Sequence, residues 1–310
     1  MRGKDLMAEE KVVAEEMSVN ANMPLKKKKR KKSQWVDVWR RLRVNKMAMV
    51  GLFILVVLLI TAIFADVIAP QGYDHQVLKD RLLPPSLKHF FGTDNFGRDI
   101  FSRVVHGSRI SLIIGFISVS IAAITGGTIG AIAGYYSGKL DNVLMRLIDI
   151  LLAIPSILLA ISIVASLGPG LRNVMIAVGI GSVPSYARIV RASVMSYRDQ
   201  EFVEAARAIG ASDFRIILKH IIPNTLAPII VQATLGVAGA ILSAAGLSFI
   251  GLGIEVPTPE WGAMLSGGRD YLRDSWYVAT FPGLAIMVTI FGLNLLGDGL
   301  RDALDPRLKN

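Results

Sequence analysis

Apolar residues in this chain come in long runs instead of alternating with polar ones. Stretches free of Asp, Glu, Lys and Arg cover residues 47–65, 110–138, 150–171, 173–187, 221–254 and 275–297. A helix needs roughly 20 apolar residues to cross a hydrocarbon core of about 30 Å, since each residue advances about 1.5 Å. The pattern predicts an all-α polytopic membrane protein with six transmembrane helices, over residues 47–69, 110–136, 143–167, 173–195, 225–253 and 278–296. Helices are the expected form because they satisfy every backbone polar group internally. Between the spans lie an outer loop at 71–106, an outer turn at Gly168, Pro169 and Gly170, a polar island at 196–224, an outer loop at 255–277 and a tail at 299–310.

The polar island has the periodicity that the spans lack. Asp199 is placed to N-cap a short helix in which Phe202, Ala206 and Ile209 share a face, and Gly210 stands where a left-handed C-terminal residue belongs. Ser212 is the natural cap of a second helix. Asp213 lies in its first turn, Phe214, Ile217, Leu218 and Ile221 form its apolar stripe, Lys219 and His220 lie near its negative end, and Pro223 stops it. Glu204 and Arg207, three residues apart, are positioned to pair. Two capped amphipathic helices with a glycine hinge exceed what a connection requires and predict a docking element.

Charge sets the orientation. Eleven Lys or Arg fall between Lys26 and Lys46, directly before the first span, so the positive-inside rule puts the N-terminus in the cytoplasm. An even number of spans returns the C-terminus to the same side, and the basic residues of the island agree. The net charge of +10 therefore reports membrane orientation and not a nucleic-acid partner. Residues 1–33, polar and lacking aromatics, are expected to be disordered, and no cleaved signal peptide is expected. Residues 34–46, with Trp35, Trp39 and Leu42 at helical spacing among Arg40, Arg41 and Arg43, predict a helix lying in the membrane interface. The arginines of the 71–106 loop run against the charge rule, and Asp80, Asp94 and Asp99 offset part of them.

Within the spans, Gly126, Gly130 and Gly134 form a small face suited to close helix packing, and Gly236, Gly239, Ser243 and Gly246 suit either close helix packing or a permeation path. Gly179, Gly181 and Pro184 interrupt the fourth span, which reads either as a pathway helix or as a kink. Arg146 and Asp149 are expected to pair at the inner interface, the alternative being a role in a proton or ion path. Asp94, Asn95, Asp99, His89 and His106 match no metal-ligand spacing, and there is no cysteine. No nucleotide-binding Gly-Lys-Ser/Thr loop, catalytic triad or paired intramembrane carboxylate is present, so the chain is read as a non-catalytic transporter component driven from outside. A lone secondary transporter and a membrane scaffold are the competing classes. They are disfavoured by the missing carboxylates and by the interrupted span, respectively.

The segment EAARAIGASDFRIILKHIIPN resembles the EAA loop of ABC-importer permeases, with Glu204, Ala205, Ala206 and Gly210 at the family positions and His220, Pro223 and Asn224 closing it. HFFGTDNFGRDIFSRVVHGSR and LGDGLRDALDPRL resemble further signatures of the dipeptide, oligopeptide and nickel permeases, second subunit type. The resemblance implies a type I ABC importer permease fold in a bacterial or archaeal cytoplasmic membrane. It implies a heterodimer with a homologous second permease, two ABC ATPase subunits, an extracytoplasmic substrate-binding protein and contact with membrane lipid. ATP and Mg would be bound by the partner subunits and no cofactor by this chain. Phe202, Glu204, Ala205, Ala206, Arg207, Gly210, Asp213, Phe214, His220 and Pro223 would contact the ATPase. The lysine-rich leader is the departure from the family pattern, and di- or oligopeptides are the expected cargo, with nickel chelates or other small solutes as the alternative.

Overall fold

The structure, a computed structural model, describes residues 34–305, so the expectations for the basic leader and for the last five residues lie outside it. Among the described residues all regular structure is helical, with five helices long and apolar enough to cross a membrane and a pair of helices, bent by 86°, that makes a sixth when counted as one span. Val38 onward packs as one unit, and residues 34–37 belong to a separate one.

Helix α1 (Gln34–Val44) leads into α2 (Lys46–Ile63), which is N-capped by the Asn45 side chain accepting from Ala48 N at 3.1 Å. In α1 the apolar stripe divides. Leu42 is buried beside Ala48 and Ala303, whereas Trp39 stays exposed. Gly51 and Gly292 allow the backbones of α2 and the last helix to meet, since a Cβ on Gly51 would sit 2.7 Å from Leu296 N. A short helix α3 (Ala65–Ile68) ends the first span.

The following loop ends at Asp99, not at His106. Helix α4 (Ile100–Tyr136) starts there because the Asp99 carboxylate caps it, accepting from Ser102 N at 2.8 Å and Ser102 Oγ at 2.7 Å. Asp94 faces both Arg98 and Arg103, while Asp80 pairs with Lys88 and Asp99 with His89. Arg98 Nε donates to Asp94 at 2.6 Å, and Arg103 donates to the carbonyls of Tyr73 at 2.8 Å and Pro257 at 3.2 Å. Both guanidiniums are buried in the folded loop with Asp94 between them.

Ser137 and Gly138 turn the chain with φ of 53° and 63° into α5 (Gly138–Ala153), which breaks before Pro155 and resumes as α6 (Ser156–Leu167). Ile154 takes the extended backbone that a following proline imposes, and Pro155 has no N–H to continue the ladder. The broken span is thus the third. Helix α7 (Leu171–Tyr197) runs without interruption through Gly179, Gly181 and Pro184, contrary to the expected break in the fourth span. Tertiary packing overrides the local breakers: Gly126, Gly130 and Gly134 of α4 bring its backbone against that of α7, where a Cβ on Gly134 would lie 2.8 Å from Arg191 O.

After α8 (Glu201–Ala208), helix α9 (Asp213–Phe249) merges the second island helix with the fifth span. The expected stop at Pro223 does not occur. Residues Ile217–Ile221 widen into a π-turn in which Ile222 N reaches Ile217 O, so the ladder passes the proline, and Asn224 Nδ2 donates to His220 O at 2.6 Å. Helix α10 (Trp261–Gly268) precedes α11 (Tyr277–Leu304), which absorbs the first residues of the expected tail. The main core joins Leu112 and Ile114 of α4, Val164 of α6, Val174 and Tyr186 of α7, Ile241 and Leu247 of α9 and Leu293 of α11.

Candidate functional site

The hinged island is built from its buried face outward. In α8 the buried residues are Val203 and Ala206, and from the base of α9 come Ile216 and Ile221. These pack with Ala131 and Tyr135 of α4 and with Val190 and Val194 of α7. The inward faces differ from the expected stripes, because tertiary contact chooses among the apolar positions that periodicity offers. Phe202 lies at the margin of exposure, while Ile209 and Phe214 stay 86% and 73% exposed and Leu218 is exposed. Glu201, Glu204, Ala205, Arg207, Arg215, Lys219 and Pro223 are exposed around them and His220 is half-buried. The outcome is an apolar patch with a charged rim, a surface suited to docking.

Gly210 sits between the two segments with φ of +80°, and nothing lies within 4 Å of where its Cβ would be. Gly210 N donates to Arg207 O and Ala211 N to Ala206 O, which closes α8. The expected caps differ in detail. Gln200 takes the N-cap place of α8 without a side-chain bond, while Asp199 pairs with Arg198 at 3.0 Å. Ser212 is at the N-cap of α9 with extended backbone, but its hydroxyl makes no capping bond. The expected Glu204–Arg207 pair is not formed. Arg207 Nη2 instead donates to Tyr135 Oη at 3.3 Å, and its guanidinium lies 5.9 Å from the ring centroid. Tyr135 Oη in turn donates to Asp213 Oδ1 at 2.6 Å. Ile209 and Leu218 were placed by their spacing on the apolar stripes of the two island helices, and the structure turns both outward. Tyr135 was not singled out: only its aromatic character was visible, and no spacing distinguished it.

Farther along the same helices, ion pairs tie α5 to α7. Arg191 makes two bonds of 2.6 Å to Asp141, and Arg188 reaches Asp149 at 2.6 Å. Asp149 therefore pairs across to α7 and not with Arg146 on its own helix. Above them, the bend at Pro155 opens a cavity of about 270 Å³ lined by Ser156, Ser182, Pro184, Ser185 and Ser243 among apolar neighbours, with no charged side chain. The small-residue face of α9 divides: Gly236 packs against Tyr186 and Val119, whereas a Cβ added at Gly239 or Gly246 would meet nothing within 4 Å, so that part of the face is left open within the chain. No cluster of His, Asp or Glu among the described residues is arranged to hold a metal.

Residues 126–310 match the family described as the binding-protein-dependent transport system inner membrane component, and residues 33–85 match the N-terminal TM domain of oligopeptide transport permease C. The chain belongs to this family of permeases. It is 51% identical over 278 residues to a dipeptide transport system permease protein of Alkalihalophilus pseudofirmus, covering 90% of this chain and 91% of that one. A di/tripeptide permease of Pseudomonas aeruginosa is 46% identical, covering 88% and 92%, and a glutathione permease of Escherichia coli is 49% identical, covering 93% and 95%. The fold is similar to that of the MetNI methionine ABC transporter in an inward-facing conformation, with a TM-score of 0.55 and 19% identity over 66% of this chain and 98% of that one. The permease is thus a multi-pass, non-catalytic membrane component of an ABC import system with the type I importer fold.

Proposed function

We propose that this permease forms half of the translocation pathway for di- and oligopeptides. In this reading it pairs with a homologous second permease, two ABC ATPases bind below and an extracytoplasmic binding protein delivers cargo from above. Both termini face the cytoplasm of a bacterial or archaeal cell, and ATP and Mg are held by the ATPases. The observation that carries the reading is the hinged loop, which presents Phe202, Ile209, Phe214 and Leu218 outward on two short segments. Closure of the ATPases on ATP pushes this patch and biases the spans between inward-open and outward-open states. The names of the relatives support peptide cargo. So does the serine-lined cavity, whose neutral hydroxyls suit main-chain amides whatever the side chains.

Co-expression with the partner genes and purification by a tag on this chain tests the proposal. A stable complex with a second permease and two ATPases, importing peptide with ATP hydrolysis, is expected; a chain that transports alone refutes it. Gly210→Val forces a β-branched residue into the left-handed region, and Glu204→Arg reverses a rim charge. Both variants are expected to insert normally and to uncouple hydrolysis from uptake, and normal uptake by both contradicts the docking role.

A further inference from the structure

We infer that Tyr135 is the joint through which movement of the hinged loop reaches the transmembrane helices, a positioning role that rests on the importer reading above. Gly210 has open space around it and a left-handed backbone. Left to itself, it would absorb a push on Ile209 or Phe214 by letting α8 swing relative to α9. The structure limits that freedom through the apolar cluster the two segments share and, among polar groups, through one atom. Tyr135 Oη accepts from Arg207, on the α8 side of the hinge, and donates to Asp213, on the α9 side, at 3.3 Å and 2.6 Å. The two segments are therefore pinned to each other and to the last turn of α4.

The ring below that hydroxyl is 8% exposed and packs with Val203 and Ala206 of α8, Ile216 and Ile221 of α9 and Val190 and Val194 of α7. Arg198, just past the end of α7, closes the same corner. Its Nη1 donates to Gly134 O at 3.3 Å and to Ser137 Oγ, where a cation also complements the negative end of α4. From this corner, α4 lies along α7 through Gly126, Gly130 and Gly134, and α7 carries Ser182 and Ser185 into the cavity wall. Displacement of the loop is thereby passed to the pathway along backbone-to-backbone packing, which transmits motion because it has little room to yield.

The test uses the assembled transporter in proteoliposomes with labelled dialanine as cargo, measuring ATP hydrolysis and peptide imported per ATP. Tyr135→Phe keeps the ring and removes the bridge. It is expected to hold binding-protein-stimulated hydrolysis within about twofold of wild type, with an unchanged KM for the loaded binding protein, while peptide per ATP falls at least fivefold. Asp213→Leu, which removes the acceptor of that hydroxyl, is expected to lower peptide per ATP as Tyr135→Phe does. The double variant Tyr135→Phe/Asp213→Leu should be no worse than either single one. Wild-type peptide per ATP in Tyr135→Phe overturns the inference, and so does parallel loss of hydrolysis and transport, which marks a merely structural residue. If Tyr135→Phe fails to assemble, wild-type peptide per ATP in Asp213→Leu overturns the inference in the same way. A wild-type complex that imports no peptide overturns the importer reading itself, and is distinguished because in the other cases the wild type couples.

Discussion

Gly130→Ala, measured against Gly127→Ala, tests the packing that holds α4 to α7. A Cβ added at Gly130 falls inside contact distance of Ala187 O and lies 2.9 Å from Arg191 N. Both are backbone atoms of α7, so no rotamer change relieves the clash and the helices must separate by roughly half an ångström or more. Forcing a methyl into such a contact costs about 1–3 kcal/mol. Three residues earlier, a Cβ on Gly127 meets only Val190 Cγ2, at 3.9 Å, an ordinary contact. Both substitutions gain the same helix propensity, about 1 kcal/mol relative to glycine. The propensity gain cancels in the comparison, leaving the packing cost alone. Denaturant titration of the purified chain in mixed micelles should therefore place Gly130→Ala about 1–3 kcal/mol below Gly127→Ala, with Gly127→Ala at or slightly above wild type. Equal midpoints for the two variants would refute the close-approach argument.

Three further outcomes follow from the same geometry. Arg191→Ala strands the Asp141 carboxylate, which is 8% exposed; because Arg191 itself is about a third exposed and partly screened, the expected loss in the same titration is about 1–2 kcal/mol. Arg188→Ala breaks a pair with both side chains more than half exposed and should cost at most about 1 kcal/mol, so a reversed order contradicts the assignment. The chain has no cysteine, so Phe214→Cys should react with an impermeant maleimide only from the cytoplasmic side and Leu87→Cys, 94% exposed, only from outside; labelling from one common side refutes the topology. Burial raises the Glu260 carboxyl above its ordinary value of 4.5, against the backbone N–H bonds that favour its charge. A raised folded-state pKa means the folded protein holds the proton more tightly, so stability falls as pH rises from about 4.5 through the raised value. Glu260→Gln should flatten that part of the unfolding profile, and an unchanged slope would show that the carboxyl does not titrate there.

Much of the fold was legible because the membrane imposes a single demand, continuous apolar length, that a run of residues reports directly. The same holds for Gly210, whose place after a short amphipathic helix already required a left-handed backbone, and for the face of Gly126, Gly130 and Gly134. Breaks and partners were less legible. Pro155, Pro184 and Pro223 are alike as residues, yet the first breaks its span, the second sits within a continuous helix held along α4, and the third is absorbed by a π-turn. Ion pairing followed the same rule: Asp149 and Arg207 have charged neighbours three residues away in sequence, but each turns to a group on another helix.

The sequence by itself determined the order of the apolar segments, the polar loop with its hinge, and the family. Each of these rests on local composition or on short motifs. The tertiary structure alone decided which proline bends its helix and which faces of the loop stay open. It also gathered four serines around one cavity and brought Tyr135 to Arg207 and Asp213 across more than 70 positions of chain. These outcomes depend on the packing of distant helices, where the energy of a contact is set by the neighbour it meets and not by the residue's place in the chain.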